Sequence, residues 1–180
     1  MSKEKKLLKI LERFRNQLSD KEIAFIDDIS KNVESVKDTW DVLDSDYSLF
    51  IDGAAEFDED LKPNNAGIGG LINKGDELVY SFSENIGIRT NNEAEYSALI
   101  RGLEIGLELN IINIKIYADS ELVVKQVSGE YKVKHERMRP LHRKAIALLS
   151  QYSNWSLQHV PRNDNTIADK LSKEGMEKGR

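Results

Sequence analysis

The spacing of apolar residues divides the chain near residue 45. Before that point Leu7, Leu8, Leu11, Phe14 and Leu18 recur at helical intervals. Ile23, Ile26, Ile29, Val33, Val36 and Trp40 do so again after Ser19 and Glu22, a capping-box pair. No glycine or proline interrupts either run, so residues 1–45 read as a helical N-terminal extension of two amphipathic helices. From Tyr47 the pattern turns to strands. Tyr47–Asp52, Ala66–Asn73 and Glu77–Ile86 alternate or cluster as strands do, with turn residues between them at 58–65 and 74–76. Ala94, Ala98, Leu99, Leu103 and Leu107 then mark a helix over Asn92–Leu109. An isoleucine-rich strand, Ile111–Tyr117, is followed by a short helix, Ser120–Val127, and a longer one, Glu136–Gln151. A strand at Trp155–Val160 and a closing helix at Thr166–Glu177 complete the order. Three consecutive strands followed by alternating helices and strands predict an α/β domain over residues 46–180. Its sheet should be mixed and five-stranded, three antiparallel strands first and parallel strands after, with helices on both faces. Glycines 67, 69 and 70 fall inside a strand and read as sites of close backbone packing rather than of phosphate binding.

Charge changes the picture once it is resolved along the chain. The 180 residues carry a net charge of −5, which by itself disfavours a polyanionic partner. Between Lys125 and Lys144, however, seven basic residues face two acidic ones. Phosphate contacts depend on such local excess and not on the whole-chain sum, although a solvated charged face would look the same. No apolar stretch approaches the roughly 20 residues of a membrane span. With no cysteine, disulfides and thiolate metal sites are excluded. The N-terminal Met1-Ser2-Lys3-Glu4-Lys5-Lys6 has no apolar signal core, so a cytoplasmic protein without a membrane partner is expected. Nothing in the chain points to an obligate protein partner.

Candidate chemistry rests on four acids in four contexts. Asp52 follows Leu49-Phe50-Ile51 and precedes a glycine, and Glu95 lies in Thr90-Asn91-Asn92-Glu93-Ala94-Glu95-Tyr96. Asp119 follows the strand ending at Tyr117-Ala118, and Asp169 lies in Asn165-Thr166-Ile167-Ala168-Asp169. Each of the last three has a structural alternative at a helix start. Glu95 could close a capping box with Asn92, Asp119 could cap the helix at Ser120, and Asp169 could pair with Thr166. Asp52 is harder to explain that way, because an unpaired carboxylate at the end of a central strand is costly. Gathered by the fold, four carboxylates would repel one another without a metal, and oxygen ligands suit a hard divalent cation.

In this order the four segments resemble type 1 ribonuclease H, which cleaves the RNA strand of RNA–DNA hybrids; the likeness runs from about Tyr47 to Glu177. The resemblance implies a ribonuclease H-like fold and two Mg2+ ions, with Mn2+ as a substitute. It implies that Asp52 bridges both ions, Asp169 completes the one that activates water, and Glu95 and Asp119 hold the other. In-line hydrolysis would leave a 5′-phosphate and a 3′-hydroxyl. Glu95 would also contact the 2′-hydroxyl that distinguishes RNA from DNA. Thr90 and Asn91 match positions that bind a DNA-strand phosphate, with Asn92 and Ser120 as minor-groove contacts. The implied partner is an RNA–DNA hybrid. Double-stranded RNA, RNA–DNA junctions, or binding without catalysis are the alternatives.

Three departures from the family pattern matter. The lysine- and tryptophan-rich handle of many bacterial members is replaced by the short Ser128–Lys134 segment, which leaves Lys132, Lys134, Arg137, Arg139 or the N-terminal helices to grip nucleic acid. His159 stands six residues before Asn165, the spacing of the family's proton-transferring histidine, yet its loop lacks glycines. A structural histidine is the alternative there, with Arg162 as another occupant of the role. Glu121 replaces a common glutamine beside the RNA minor groove.

Overall fold

The computed structural model describes residues 47–179, and the two predicted N-terminal helices lie outside them. Strands β1 (Tyr47–Phe57), β2 (Pro63–Lys74) and β3 (Glu77–Gly87) form an antiparallel meander. Helix α1 (Asn91–Glu108) leads to β4 (Asn113–Ala118), which pairs in parallel with β1. Helices α2 (Glu121–Val127) and α3 (Met138–Leu149) precede β5 (Asn154–His159), parallel to β4. A short 3₁₀ turn, Arg162–Asp164, then enters α4 (Thr166–Glu177). The sheet order is β3-β2-β1-β4-β5, the mixed five-stranded sheet expected from the sequence.

The period of two in β1 sorts its residues between the two helical layers. Leu49 and Ile51 face α1, where a Cβ on Gly102 would meet both side chains. The hydrophobic core lies on this side and is closed by Leu99, Leu103, Ile114 and Ile116, none more than 1% exposed. Phe50 and Asp52 point to the other face, where α4 lies across β2 and β1. There α4 rests on backbone. A Cβ at Gly69 would overlap Leu171 and Ser172, and one at Gly67 would overlap Ser172 and Met176. These strand glycines serve close packing, as their position suggested.

Three boundaries differ from expectation for identifiable reasons. β1 runs five residues past Asp52, because Gly53, Ala54 and Ala55 continue the pairing with Ile68, Gly67 and Ala66. The Asp52 carboxylate is therefore mid-strand, though the parallel ladder to β4 does end beside it, at Ile51–Ala118. α3 begins at Met138 and not at Glu136. A helix starting at Glu136 would need an N–H from residue 140, which is proline. α1 stops in a Schellman turn, with Asn110 at φ 58° and Ile111 N–H bonded to Gly106 O, so Ile111 falls before β4.

Candidate functional site

The acids of β1, α1 and the β4–α2 junction converge where the β1–β4 ladder ends. One carboxylate oxygen from each of Asp52, Glu95 and Asp119 lies within 4.8 Å of the others. The approach depends on Gly53, since a Cβ there would overlap the backbone of Ala94 and Glu95 and push α1 off the strand. Asp52 and Glu95 are 3% and 5% exposed. Among the described residues, Glu95 Oε2 and Asp119 Oδ1 are buried without a hydrogen-bond partner. The Ser172 hydroxyl, one turn beyond Asp169 on α4, donates to Asp52.

Electrostatics follow from this crowding. Burial, then the Asp52 and Asp119 charges, push the Glu95 carboxyl up to about 9. Burial raises Asp52 to about 6 against the Ser172 hydrogen bond, with Asp119 and Asp169 adding to the rise. Both groups resist ionising together unless a cation joins them. Asp169 differs. Burial works to raise it, but hydrogen bonds from Lys173 and Arg162 outweigh burial and hold it below the ordinary carboxylate range. Its Oδ1 accepts from Arg162 Nε at 3.1 Å and Nη2 at 2.5 Å, and its Oδ2 from Lys173 Nζ at 2.5 Å. It stands beside the three-carboxylate cluster without belonging to it.

The structural alternatives for the acids fail one by one. The N-cap of α1 is Thr90, not Asn92, and its capping-box partner is Glu93. Glu95 is thereby freed to face Asp52. Ser120 caps α2 by accepting from Val123 N–H, which leaves Asp119 outside the cap. Asn165 occupies the N-cap position of α4 and makes no side-chain cap, so Asp169 is not a capping partner of Thr166. Instead Asn165 Nδ2 donates to Ile51 O at 2.9 Å, which fastens the start of α4 to β1 one residue before Asp52. Sequence reasoning gave Asn165 and Ser172 no such roles. Ser172 was discoverable, because it follows Asp169 by three and helical spacing sets the two on one face.

The remaining candidates are spread around this centre. Thr90 Oγ1 donates to Glu93 Oε2 at 2.7 Å, while Asn91 and Asn92 are exposed at the same helix start. Burial would raise the Glu93 carboxyl, but the two Thr90 hydrogen bonds and Arg137 lower it. His159 is exposed, with its ring Nε2 3.2 Å from Asp119 O. Lys132 and Lys134 line a groove with Leu122, Gln126, Glu130 and Tyr131 that runs along α2. Glu121 is tied to Lys125 at 2.5 Å and is not part of the carboxylate cluster.

A mixed five-stranded sheet of this order, with a buried acid cluster where its central ladder ends, defines the ribonuclease H-like class of α/β proteins. A family model described as Reverse transcriptase-like matches residues 52–175. The chain is 35% identical over 129 residues to Ribonuclease HI of Halobacterium salinarum, covering 71% of this chain and 63% of that one. The crystal structure of RNase H1 from that archaeon superposes with a TM-score of 0.69 at 34% identity, over 73% of this chain and 98% of that one. LC11-RNase H1, solved in complex with an RNA/DNA hybrid, gives 0.67 at 33% identity, over 74% and 98%. A bifunctional protein of Mycobacterium tuberculosis is 38% identical over 117 residues, 64% of this chain, which spans about a third (32%) of that relative's length. The chain belongs to the type 1 ribonuclease H family.

Proposed function

We propose that this protein is a metal-dependent endoribonuclease that hydrolyses the RNA strand of RNA–DNA hybrids, leaving a 5′-phosphate and a 3′-hydroxyl. The observation that carries the reading is the convergence of Asp52, Glu95 and Asp119 with two buried, partnerless carboxylate oxygens among them. Such a donor set fits a hard divalent cation, Mg2+ with Mn2+ as substitute. Asp52, Glu95 and Asp119 would hold one ion, and Asp52 with Asp169 a second. When bound, the ions supply Lewis acidity for in-line phosphoryl transfer.

The chain's own residues position the substrate and the ligands. Ser172 orients the Asp52 carboxylate through its hydroxyl. Glu95 reads the 2′-hydroxyl next to the scissile phosphate. Thr90, Asn91 and Asn92 meet the DNA strand at the start of α1, where backbone N–H groups favour phosphate, and Ser120 faces the minor groove. Lys132 and Lys134 add phosphate contacts in place of the handle. His159 assists proton transfer and product release, or Arg162, which keeps its proton, takes the product-release part of that role. The hybrid-bound LC11-RNase H1 supports the choice of substrate.

One labelled strand presented as RNA–DNA hybrid, double-stranded RNA, single-stranded RNA and double-stranded DNA tests the assignment, with Mg2+ and Mn2+ supplied separately. Cleavage confined to the hybrid is expected. Equal cleavage of double-stranded RNA would replace hybrid selectivity with a relaxed duplex ribonuclease, and cleavage of no substrate by folded protein would leave binding alone.

A further inference from the structure

Asp169 is the one acid of the four whose oxygens are already taken by cations. Glu95 Oε2 and Asp119 Oδ1 lack partners, and Asp52 is met by a neutral hydroxyl. Asp169 accepts two bonds from Arg162 and one from Lys173, so both of its oxygens carry a positive neighbour. The two cations are tethered differently. Lys173 sits one turn along α4 from Asp169 and travels with it. Arg162 comes from the 3₁₀ turn before α4, and its side chain is 69% exposed. The guanidinium also lies close enough to lower the Asp52 and Glu95 carboxyls by its charge. It occupies the Asp169 oxygen that a second divalent ion would need as a ligand.

We propose that Arg162 is a built-in counter-cation, held on Asp169 in the free protein and surrendered to a substrate phosphate. Filling of the second metal position is thereby coupled to engagement of the nucleic-acid backbone. The inference rests on the metal-dependent nuclease reading above. The exchange is chemically even, because the Nε and Nη2 groups that donate to Asp169 Oδ1 can donate equally well to phosphodiester oxygens. The first ion, among Asp52, Glu95 and Asp119, displaces nothing. The second must break the exposed Arg162 pair, a modest cost that still separates the two affinities.

Mn2+ binding to the full chain, followed by calorimetry and by the paramagnetic resonance of free Mn2+, tests this without turnover. The wild type, Arg162→Gln and Asp169→Asn are compared, first without nucleic acid and then with a hybrid whose RNA strand is 2′-O-methylated. The wild type should bind one Mn2+ tightly and a second weakly. Arg162→Gln should tighten the second about tenfold, or about 1.4 kcal/mol, and the first by clearly less, because Arg162 acts on Asp52 and Glu95 only through its charge. The blocked hybrid should tighten the second site in the wild type but little in Arg162→Gln, and Asp169→Asn should lack that site. A second site unchanged or weakened in Arg162→Gln would overturn the counter-cation role. So would equal Mn2+ stoichiometry in the wild type and Asp169→Asn, while leaving the first metal position in place. Absence of Mn2+ binding by any variant would remove the metal reading itself, and the exchange with it. Melting temperatures of the variants confirm that each is folded, which the exposure of Arg162 favours.

Discussion

At the scale of single residues, the acids oppose stability in order to serve the site. Glu95 is raised from 4.5 to about 9 and Asp52 from 3.8 to about 6, chiefly by burial. A carboxyl raised on folding stabilises the native state below its unfolded value and loses that contribution as pH climbs through the folded one. Metal-free protein should therefore melt at progressively lower temperature as pH rises from 5 to 9. Glu95→Gln should flatten that slope and raise the melting temperature at pH 8 by several degrees. An unchanged slope in the variant would contradict the buried-charge account. Asp169 and Glu93 act in the opposite sense, since both are lowered on folding, and their contribution is lost in acid. The four acids were legible in the sequence as an ordered set, since Glu95, Asp119 and Asp169 each had a capping alternative and only Asp52 did not. Their inequivalence was not legible. The cations on Asp169 come from the 3₁₀ turn at 162–164 and from the phase of α4, neither of which an apolar pattern fixes.

At the scale of elements, the site exists because two helices approach the sheet at places without side chains. Gly53 admits the start of α1 and so brings Glu95 to Asp52; Gly67 and Gly69 admit α4. Element types and order were readable from periodicity, since Ile, Val and Leu repeat cleanly at periods of two and 3.6. The reach of β1 was not. Gly53-Ala54-Ala55 looks like an ending until the pairing with β2 explains it. Asn165 is the element-scale fastening. Replacing it with alanine leaves Ile51 O buried without its donor and should cost about 1–3 kcal/mol in urea denaturation. Turnover should fall in the same variant, because Asp169 and Ser172 shift with α4. Full activity with unaltered stability would show that the Asn165 bond holds nothing in place. Gly53→Ala should be worse, since the overlapped atoms are helix backbone.

At the scale of the whole molecule, the proposed function requires an acidic chain to meet a polyanion, and a local basic stretch supplies the means. Of the seven basic residues from Lys125 to Lys144, Lys125 lies on α2, three lie in the loop after it and three on α3, while the carboxylates cluster where β4 gives way to α2. Hybrid affinity should fall steeply with salt, and Lys132→Ala with Lys134→Ala should shallow that dependence by about two phosphate contacts. An unaltered salt slope would place the grip elsewhere. Residues 1–45 lie outside the family match at 52–175, and the three clustered acids all belong to the described residues. Their deletion should leave turnover on saturating hybrid within a few-fold, whatever it does to affinity. A loss as large as that of an active-site variant would give them a share in the chemistry.

In the proposed function, Asp52 and its neighbours form a metal centre that hydrolyses RNA in hybrids. Asp52→Asn measures it most directly, because the substitution removes one charge with almost no change of shape. Hybrid cleavage in Mg2+ and the metal-free melting temperature should be taken on the same preparation. Cleavage should fall by about a thousandfold, in line with the loss of a group that stabilises transition-state charge. The metal-free variant should melt no lower than the wild type, since a buried, raised carboxyl has been neutralised. Cleavage retained within tenfold in the folded variant would contradict the account and place the chemistry outside this carboxylate cluster.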